Sequence, residues 1–508
     1  MAQRHTACAA SFYIVHKYNE HLNEMWTYEG PDCIQKFCQA LRMKTDGLYE
    51  KYWKSYKKPI YQFNIWDEDY QEHGDCYACE KQISDDDREK FFDQFTGQYV
   101  GPIHKLCKQT FRLSDPFFPV VFQNLSRYDI HLFVTSIKDE LRPIPCNKEL
   151  YIALTQNCKL DESYLHQYKI RYIDSNRFLN SSLEKLASYM NIANFKILKT
   201  KYQGEKFDML RRKGVFPYDY LDSFEKFDES LLPSRDNFYN SLNDEECSVK
   251  DYNFAQKVWS AFNCKSIRDY LKLYLESDVL ILADGFENFR SLCSRVYRLD
   301  PINYVTAPSV SWDAMLKYTR VELELVIDPD IYNFFKTAVR GGLTQCTQRI
   351  ATANNKYLNN KFKPTEPINF LSYIDANNLY GWAMSQPLPF SNFKFLSNDE
   401  ISSFNVLSIS ASSDVGYILE VDMRYPDDIH NKHNSLPFCP ENKIPPGGKQ
   451  TKLIADLTDK KNYIIHLKQL QQLCIEQGMT LEKISRVLSF NQSCWLKPYI
   501  DLNTSLRK

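Results

Sequence analysis

Apolar and polar positions along this chain follow two different periods, and the switches between them outline its elements. Apolar runs rich in β-branched and aromatic residues predict strands at 11–15, at Pro119–Phe122, at 171–174 and at Tyr417–Val421. Spacing of three to four predicts helices at Cys33–Met43, from near Tyr128, and from Ser181 or Ser182 onward. The same spacing marks Tyr252–Phe262, 307–319, and Ile267–Arg298 with one interruption at Gly285. Residues 461–479 read as a strand followed by a helix, and 426–449 as a Pro/Asn-rich loop. Stretch 391–416 is polar and Ser-rich, and Phe370–Ile374 predicts a short buried strand. Strands and helices interleave throughout without internal repeats, so the expected class is mixed α/β.

Composition adjusts this picture only slightly. A length of 508 residues suggests two or three domains with ample core. The 63 basic and 64 acidic side chains leave a net charge of −1, so a nucleic-acid surface would have to be a local groove. High aromatic content (34 Tyr, 32 Phe) suits base stacking and large α/β cores equally. Fifteen scattered cysteines, without a small-domain disulfide spacing, point to a reducing compartment. With no apolar run near membrane-spanning length and only a weak N-terminal apolar run, the expectation is a soluble intracellular protein of nucleus or cytoplasm.

Four stretches carry candidate chemistry. The strand at 370–374 ends on Asp375, followed by Asn377, Asn378, Leu379, Tyr380 and Gly381. A carboxylate at a strand end beside an aromatic can hold a divalent metal against a flat substrate. On spacing alone, an ordinary strand–loop junction explains the stretch more readily. Cys76-x-x-Cys79 and His104-x-x-Cys107, separated by 24 residues, have the ligand types and spacing of a tetrahedral zinc site. Arg340-Gly341-Gly342 reads equally as a phosphate-approaching loop or a β-turn. The acidic cluster at Trp66–Asp69 reads as solvated surface.

DANNLYGWAMSQPLP (375–389) resembles motif A of protein-primed family B DNA polymerases, especially the divergent versions of large DNA transposons and related animal viruses. The resemblance implies that Asp375 binds Mg²⁺ and that Leu379 and Tyr380 meet the incoming deoxynucleoside triphosphate, with Tyr380 excluding a 2′-hydroxyl. Asn378 stands where the family has Ser, and Gly381 where it has Pro. Further motifs follow in family order. Asn124-x-x-x-Tyr128-Asp129 is similar to the second exonuclease motif, with Asp129 as metal ligand and Asn124 orienting the primer end. Ser182-Leu183 resembles the single-strand DNA contact, and Lys213-Gly-Val-Phe216 the motif whose Lys sits beside the scissile phosphate. Tyr274-x-x-x-Asp278 resembles the third exonuclease motif, with Asp278 as ligand and Tyr274 positioning water. Arg340-Gly341-Gly342 is similar to the linker between editing and polymerising domains.

The resemblance also implies a domain plan. It runs from an exonuclease remainder (1–70) through an endonuclease-VII-like zinc insert (71–113) to a ribonuclease-H-like 3′–5′ exonuclease domain (114–300). A connector (301–368) and a partial palm (369–508) follow. In the insert, Phe92-Asp93-Gln94 replaces the family's His-Asp-His, so a structural Zn²⁺ role is expected rather than nuclease chemistry. The Asp-x-Glu exonuclease motif and polymerase motifs B and C are not found. PYDYLD (217–222) mimics motif C but precedes motif A. The expectation is an incomplete DNA-directed DNA polymerase acting on DNA and deoxynucleoside triphosphates, with a terminal protein as possible primer and no membrane partner. A nucleic-acid-binding remnant and an editing-only exonuclease remain as alternatives.

Overall fold

The computed structural model describes residues 6–16, 19–52, 74–92, 99–110, 117–147, 150–160, 167–241, 244–410 and 413–507. The acidic cluster at 66–69 and the positions Asp93 and Gln94 lie outside them. The chain divides into two compact units, 1–311 and 312–508. Both mix strands and helices, giving the mixed α/β class.

The first unit opens with an antiparallel hairpin, β1 (Ala9–Ile14) and β2 (Glu24–Glu29), followed by α1 (Cys33–Tyr52). Next comes a small lobe of β3 (Arg88–Phe92), β4 (Tyr99–His104) and α2 (Lys105–Thr110). A four-stranded sheet is built from β5 (Phe117–Phe122), β6 (Glu140–Pro145), β7 (Tyr151–Lys159) and β8 (Gln167–Asp174), in the order β5-β8-β7-β6. Only β5 and β8 run parallel, with Phe122 opposite Asp174. Their C-terminal ends therefore open at the same edge, which is where α/β sheets place their ligands. A short helix, α3 (Asp129–Phe133), follows β5.

Sequence explains the helical half of this unit. Ser182 Oγ accepts from Lys185 N at 3.3 Å and starts α4 (Leu183–Tyr189). The short helices α5 (Lys196–Lys201) and α6 (Gly204–Leu210) precede α7 (Val249–Ala261) and α8 (Ile267–Tyr297). Apolar side chains at Ile267, Tyr270, Leu271, Tyr274 and Ile281 form the buried stripe of α8. Asp284, on the same helix, accepts from the amides of Ile197 (2.7 Å) and Leu198 (2.9 Å), which ties α5 to α8. The helix passes through Gly285 unbroken and ends at Arg298 in the left-handed region (φ 54°). A further helix, α9 (Ala307–Thr319), spans the boundary between the units.

The second unit centres on an antiparallel sheet. Its strands are β9 (Leu388–Phe395), β10 (Val415–Arg424), β13 (Lys460–His466) and β14 (Thr480–Ser493), in the order β13-β10-β14-β9. Between β10 and β13 lies a small hairpin of β11 (Glu441–Lys443) and β12 (Lys452–Ile454). The helices are α10 (Pro329–Ala338), α11 (Leu379–Met384), α12 (Asn398–Ser402), α13 (Asp427–His433), α14 (Leu467–Ile475) and α15 (Lys497–Leu506). Leu419, Val421, Leu470 and Val487 form the centre of its core. Lys460 is fully buried, held by Asp456 Oδ1 (2.7 Å) and Glu441 Oε2 (3.2 Å).

Three expectations are corrected here. Phe370–Ile374 is not a buried strand but an exposed segment without regular structure; Tyr373 is 98% exposed and Ile374 86%. No strand among the described residues pairs with it, and an unpaired strand has nothing to bury its side chains against. The stretch 426–449 is not wholly a loop but holds α13 and β11; the polar stretch from 391 holds the end of β9 and α12, the latter opened by a Ser397–Glu400 capping box.

Candidate active-site cleft and metal centre

The turn after β5 and the turn after β8 are joined by one buried carboxylate. Asp174 accepts from the amides of Asn124 (2.9 Å), Ser126 (3.1 Å) and Asn176 (3.0 Å). Asn124 is thereby held in the left-handed region at φ 66°, which Asn tolerates better than most residues. Ser175 Oγ donates to Phe122 O and Gln123 Oε1, and Gln123 Nε2 donates to Ser181 O at 3.0 Å. One turn carries Asn124 and leads into Asp129. The other runs to Ser182 and Leu183 at the start of α4.

These turns and the middle of α8 enclose a cleft of about 820 Å³. Asn124, Asp129, Ser182, Leu183, Lys213 and Asp278 all line it. Six positions spread over 155 residues of sequence (124 to 278) thus share one opening. Tyr274 stands behind the wall. Its ring is buried and its hydroxyl is 2.5 Å from that of Tyr218, which does line the cleft.

Electrostatics mark both acids. Burial, helped by the nearby charge of Asp174, pushes the Asp129 carboxyl up to about 6. Burial also pushes Asp278 up to about 6, against the opposing pull of Lys213 and Tyr274. Among the described residues, buried Asp278 Oδ1 has no hydrogen-bond partner. A carboxylate oxygen in that state is costly unless a cation or ligand faces it, so the donor set fits a divalent ion.

Several lining residues were not singled out from sequence: Arg127, Asn176, Asn180, Lys185 and Tyr218. Arg127 and Lys185 sit inside or next to the recognised motifs. Tyr218 belongs to PYDYLD, which chain order had set aside.

The small lobe brings Cys76, Cys79, His104 and Cys107 together, with ligand atoms all within 4.8 Å of one another. Among the described residues no other group of three or more possible ligands is gathered this way. His104 Nδ1 faces Cys79 Sγ (3.3 Å) and Cys107 Sγ (3.8 Å), while Nε2 lies 3.3 Å from Gln82 O. That leaves Nδ1 as the ligand atom and the Gln82 carbonyl to orient the ring. Burial raises the Cys76 thiol, but the amides of Cys79, His104 and Ala78 outweigh it, and its pKa falls to about 6.

The remaining positions do not line this cleft. Asp375, Leu379 and Tyr380 are exposed, with Tyr380 in the first turn of α11. Arg340 donates to Ala338 O (3.1 Å) and Ile464 O (2.8 Å) and lies 3.9 Å from the ring centroid of Tyr463. Its guanidinium is therefore engaged in packing. Gly341 and Gly342 are exposed, and an added Cβ would meet nothing within 4 Å at either.

Comparison with known proteins identifies the class. The family of DNA polymerase type B, organellar and viral, matches residues 118–508, and the chain belongs to it. Among solved structures, phi29 DNA polymerase complexed with primer-template DNA and incoming nucleotide substrates is similar at 12% identity and a TM-score of 0.40. That match covers 75% of this chain and 54% of that one. An orthorhombic crystal form of phi29 DNA polymerase gives 13% identity and a TM-score of 0.38, covering 76% and 55%. The chain thus spans about half the length of these polymerases. No curated protein matches. No helix among the described residues is long and apolar enough to cross a membrane.

Proposed function

We propose that the chain is part of a protein-primed DNA-directed DNA polymerase, a nucleotidyltransferase of DNA replication. In this reading its first unit supplies the strand-holding cleft of a ribonuclease-H-like 3′–5′ editing domain. The second unit supplies part of a palm, with Asp375 as a Mg²⁺ ligand and Leu379 and Tyr380 against the deoxynucleoside triphosphate. The observation that carries the reading is the convergence of Asn124, Asp129, Ser182, Leu183, Lys213 and Asp278 on one cleft.

The residues have separable tasks. Asn124 and Ser182 hydrogen-bond the end of a single strand, and Leu183 packs against it. Lys213 balances the scissile phosphate, and Tyr274 reaches the cleft through the hydroxyl of Tyr218. Asp129 and Asp278 hold a divalent ion, which supplies charge neutralisation at the phosphate when bound. Two carboxylates suffice for one ion but not for the closely spaced pair of a two-metal reaction. The chain alone therefore holds a strand end without turning it over. Zn²⁺ in the Cys₃His site is structural, since all four positions are filled by protein. A terminal protein as primer and a transposable-element origin belong to the same reading.

The test is binding and turnover measured on the purified chain. A single strand with a free 3′ end should bind in a Mg²⁺-dependent manner and lose that dependence in Asp278→Asn. Primer extension should be absent. Nucleotide incorporation abolished by Asp375→Ala, or strand digestion abolished by Asp129→Ala, would overturn the binding-only reading.

A further inference from the structure

A second basic and aromatic surface lies in the other unit, at residues 349–370. This stretch carries Arg349, Lys356, Lys361 and Lys363 against the single acid Glu366, so four positive charges and one negative give +3 in a chain of net −1. Glu366 pairs with Lys363 at 2.9 Å. Lys356 and Lys361 form no ion pair among the described residues, and both are exposed. Tyr357 is 72% exposed and lies 6.4 Å, centroid to centroid, from Phe370, itself 63% exposed. Lys356 Nζ is 5.4 Å from the Tyr357 ring centroid.

This loop is fixed from beneath by two buried asparagines. Asn354 Nδ2 donates to the carbonyls of Lys363 (3.0 Å), Glu366 (3.3 Å) and Pro367 (3.2 Å), and its Oδ1 accepts from Lys363 N at 2.9 Å. Asn369 N donates to Asn354 O at 2.9 Å, closing the loop at its base. Asn355 Nδ2 donates to Asn369 O (3.0 Å), and its Oδ1 accepts from Tyr357 N (3.1 Å). Polar side chains thus hold the backbone, while the lysines and rings remain outward. Within this frame Asn359 sits at φ 47°, in the left-handed half of backbone space, between Lys356 and Lys361.

We infer that the loop 354–370 is a preformed binding surface for single-stranded nucleic acid, with Tyr357 and Phe370 stacking on bases and Lys356 and Lys361 meeting phosphates. Single strands are recognised by this combination of exposed aromatic faces and flanking cations. A rigid loop lowers the ordering cost of the complex. A double helix offers no free base faces, and an acidic protein would need the lysines but not the exposed rings. The surface does not depend on the cleft of the first unit.

Fluorescence anisotropy of the full chain with a labelled oligothymidylate of about 20 nucleotides tests this, over about 50–200 mM salt. Tyr357→Ala should weaken binding roughly tenfold, the loss expected for one stacked base. The Lys356→Ala, Lys361→Ala double variant should reduce the salt slope by about 1.4, at about 0.7 per phosphate on single strands. Both effects should persist in an Asn124→Ala background, which separates this surface from the cleft. An unchanged affinity and slope in these variants overturns the inference. So does a loss from the lysines with none from Tyr357, which would mark an indiscriminate polyanion surface such as an acidic protein would occupy.

Discussion

Gly214 offers the sharpest test of how the cleft wall is built, because burial and chain entropy predict opposite signs. An added Cβ there would lie 2.8 Å from Cδ2 and 3.2 Å from Cε2 of Tyr274. The ring cannot yield easily. It is 7% exposed, sits 4.9 Å from the Phe216 ring centroid, and is tethered by the contact with Tyr218. Overpacking of this kind costs about 1–3 kcal/mol. Gly214 is not in the left-handed region, so alanine also gains about 0.4–1 kcal/mol by restricting the unfolded chain. The net expectation for Gly214→Ala is a loss of about 1–2 kcal/mol, concentrated around Tyr274. Native-state hydrogen exchange reads such a local change: amides at 270–278 should exchange about 5–30-fold faster, with those of β10 unchanged. Exchange that stays constant, or slows as the entropy term alone would dictate, refutes the packing argument.

Other expectations follow from the same geometry. Asp278→Asn should be more stable than the parent at pH 8 and equal to it near pH 4. A carboxyl raised to about 6 is penalised when charged, and stability is lost as pH rises from its unfolded value of about 4 through 6. Thermal melts at the two pH values check this, and Mg²⁺ should raise the melting temperature of the parent only. A chelator, or Cys79→Ser, should release about one zinc equivalent in a colorimetric assay and expose the 74–110 lobe to protease; unchanged metal content would argue against the site. Lys460→Ala should cost about 1–3 kcal/mol in urea unfolding, because it leaves a void at a buried site and takes one of two ammonium partners from Asp456 and Glu441, which keep Lys443. Asp375→Ala, at an exposed position, should change stability by about 0.5 kcal/mol or less in the same assay.

Legibility in the sequence tracked how local each determinant is. The strand over Pro119–Phe122, a serine cap at 181 or 182 and the long stripe of α8 were readable because each depends on neighbours within one or two turns. The Cys/His quartet was readable from ligand type and spacing. The apolar run at 370–374 was misread because period and residue type say nothing about a pairing partner. The role of Asp174 stayed hidden for the same reason. Nothing adjacent to a strand-end Asp shows that it accepts the amides of Asn124 and Ser126, some fifty residues upstream. Arg340, whose Gly-Gly neighbours read equally as a phosphate loop or a β-turn, packs on Tyr463 of β13, more than a hundred residues downstream.

In the motif A reading proposed for 375–389, the two departures are physically one change. Where the family has Ser and Pro, this chain has Asn378 and Gly381. Asn378 stands before α11 in the left-handed region at φ 54°, and its side chain does not cap the helix. Instead it lies over the buried Gly381, where a Cβ would fall 2.3 Å from Asn378 Nδ2 and 2.6 Å from Oδ1. A proline ring at 381 would need the volume that the longer amide occupies, whereas a serine at 378 would leave it open. Glycine inside a helix costs about 1 kcal/mol relative to alanine, so its presence calls for such a steric reason. Tyr380 lies between the two positions, in the first helical turn. In that reading the exchange at 378 and 381 accommodates the larger Asn378 side chain while Tyr380 stays exposed.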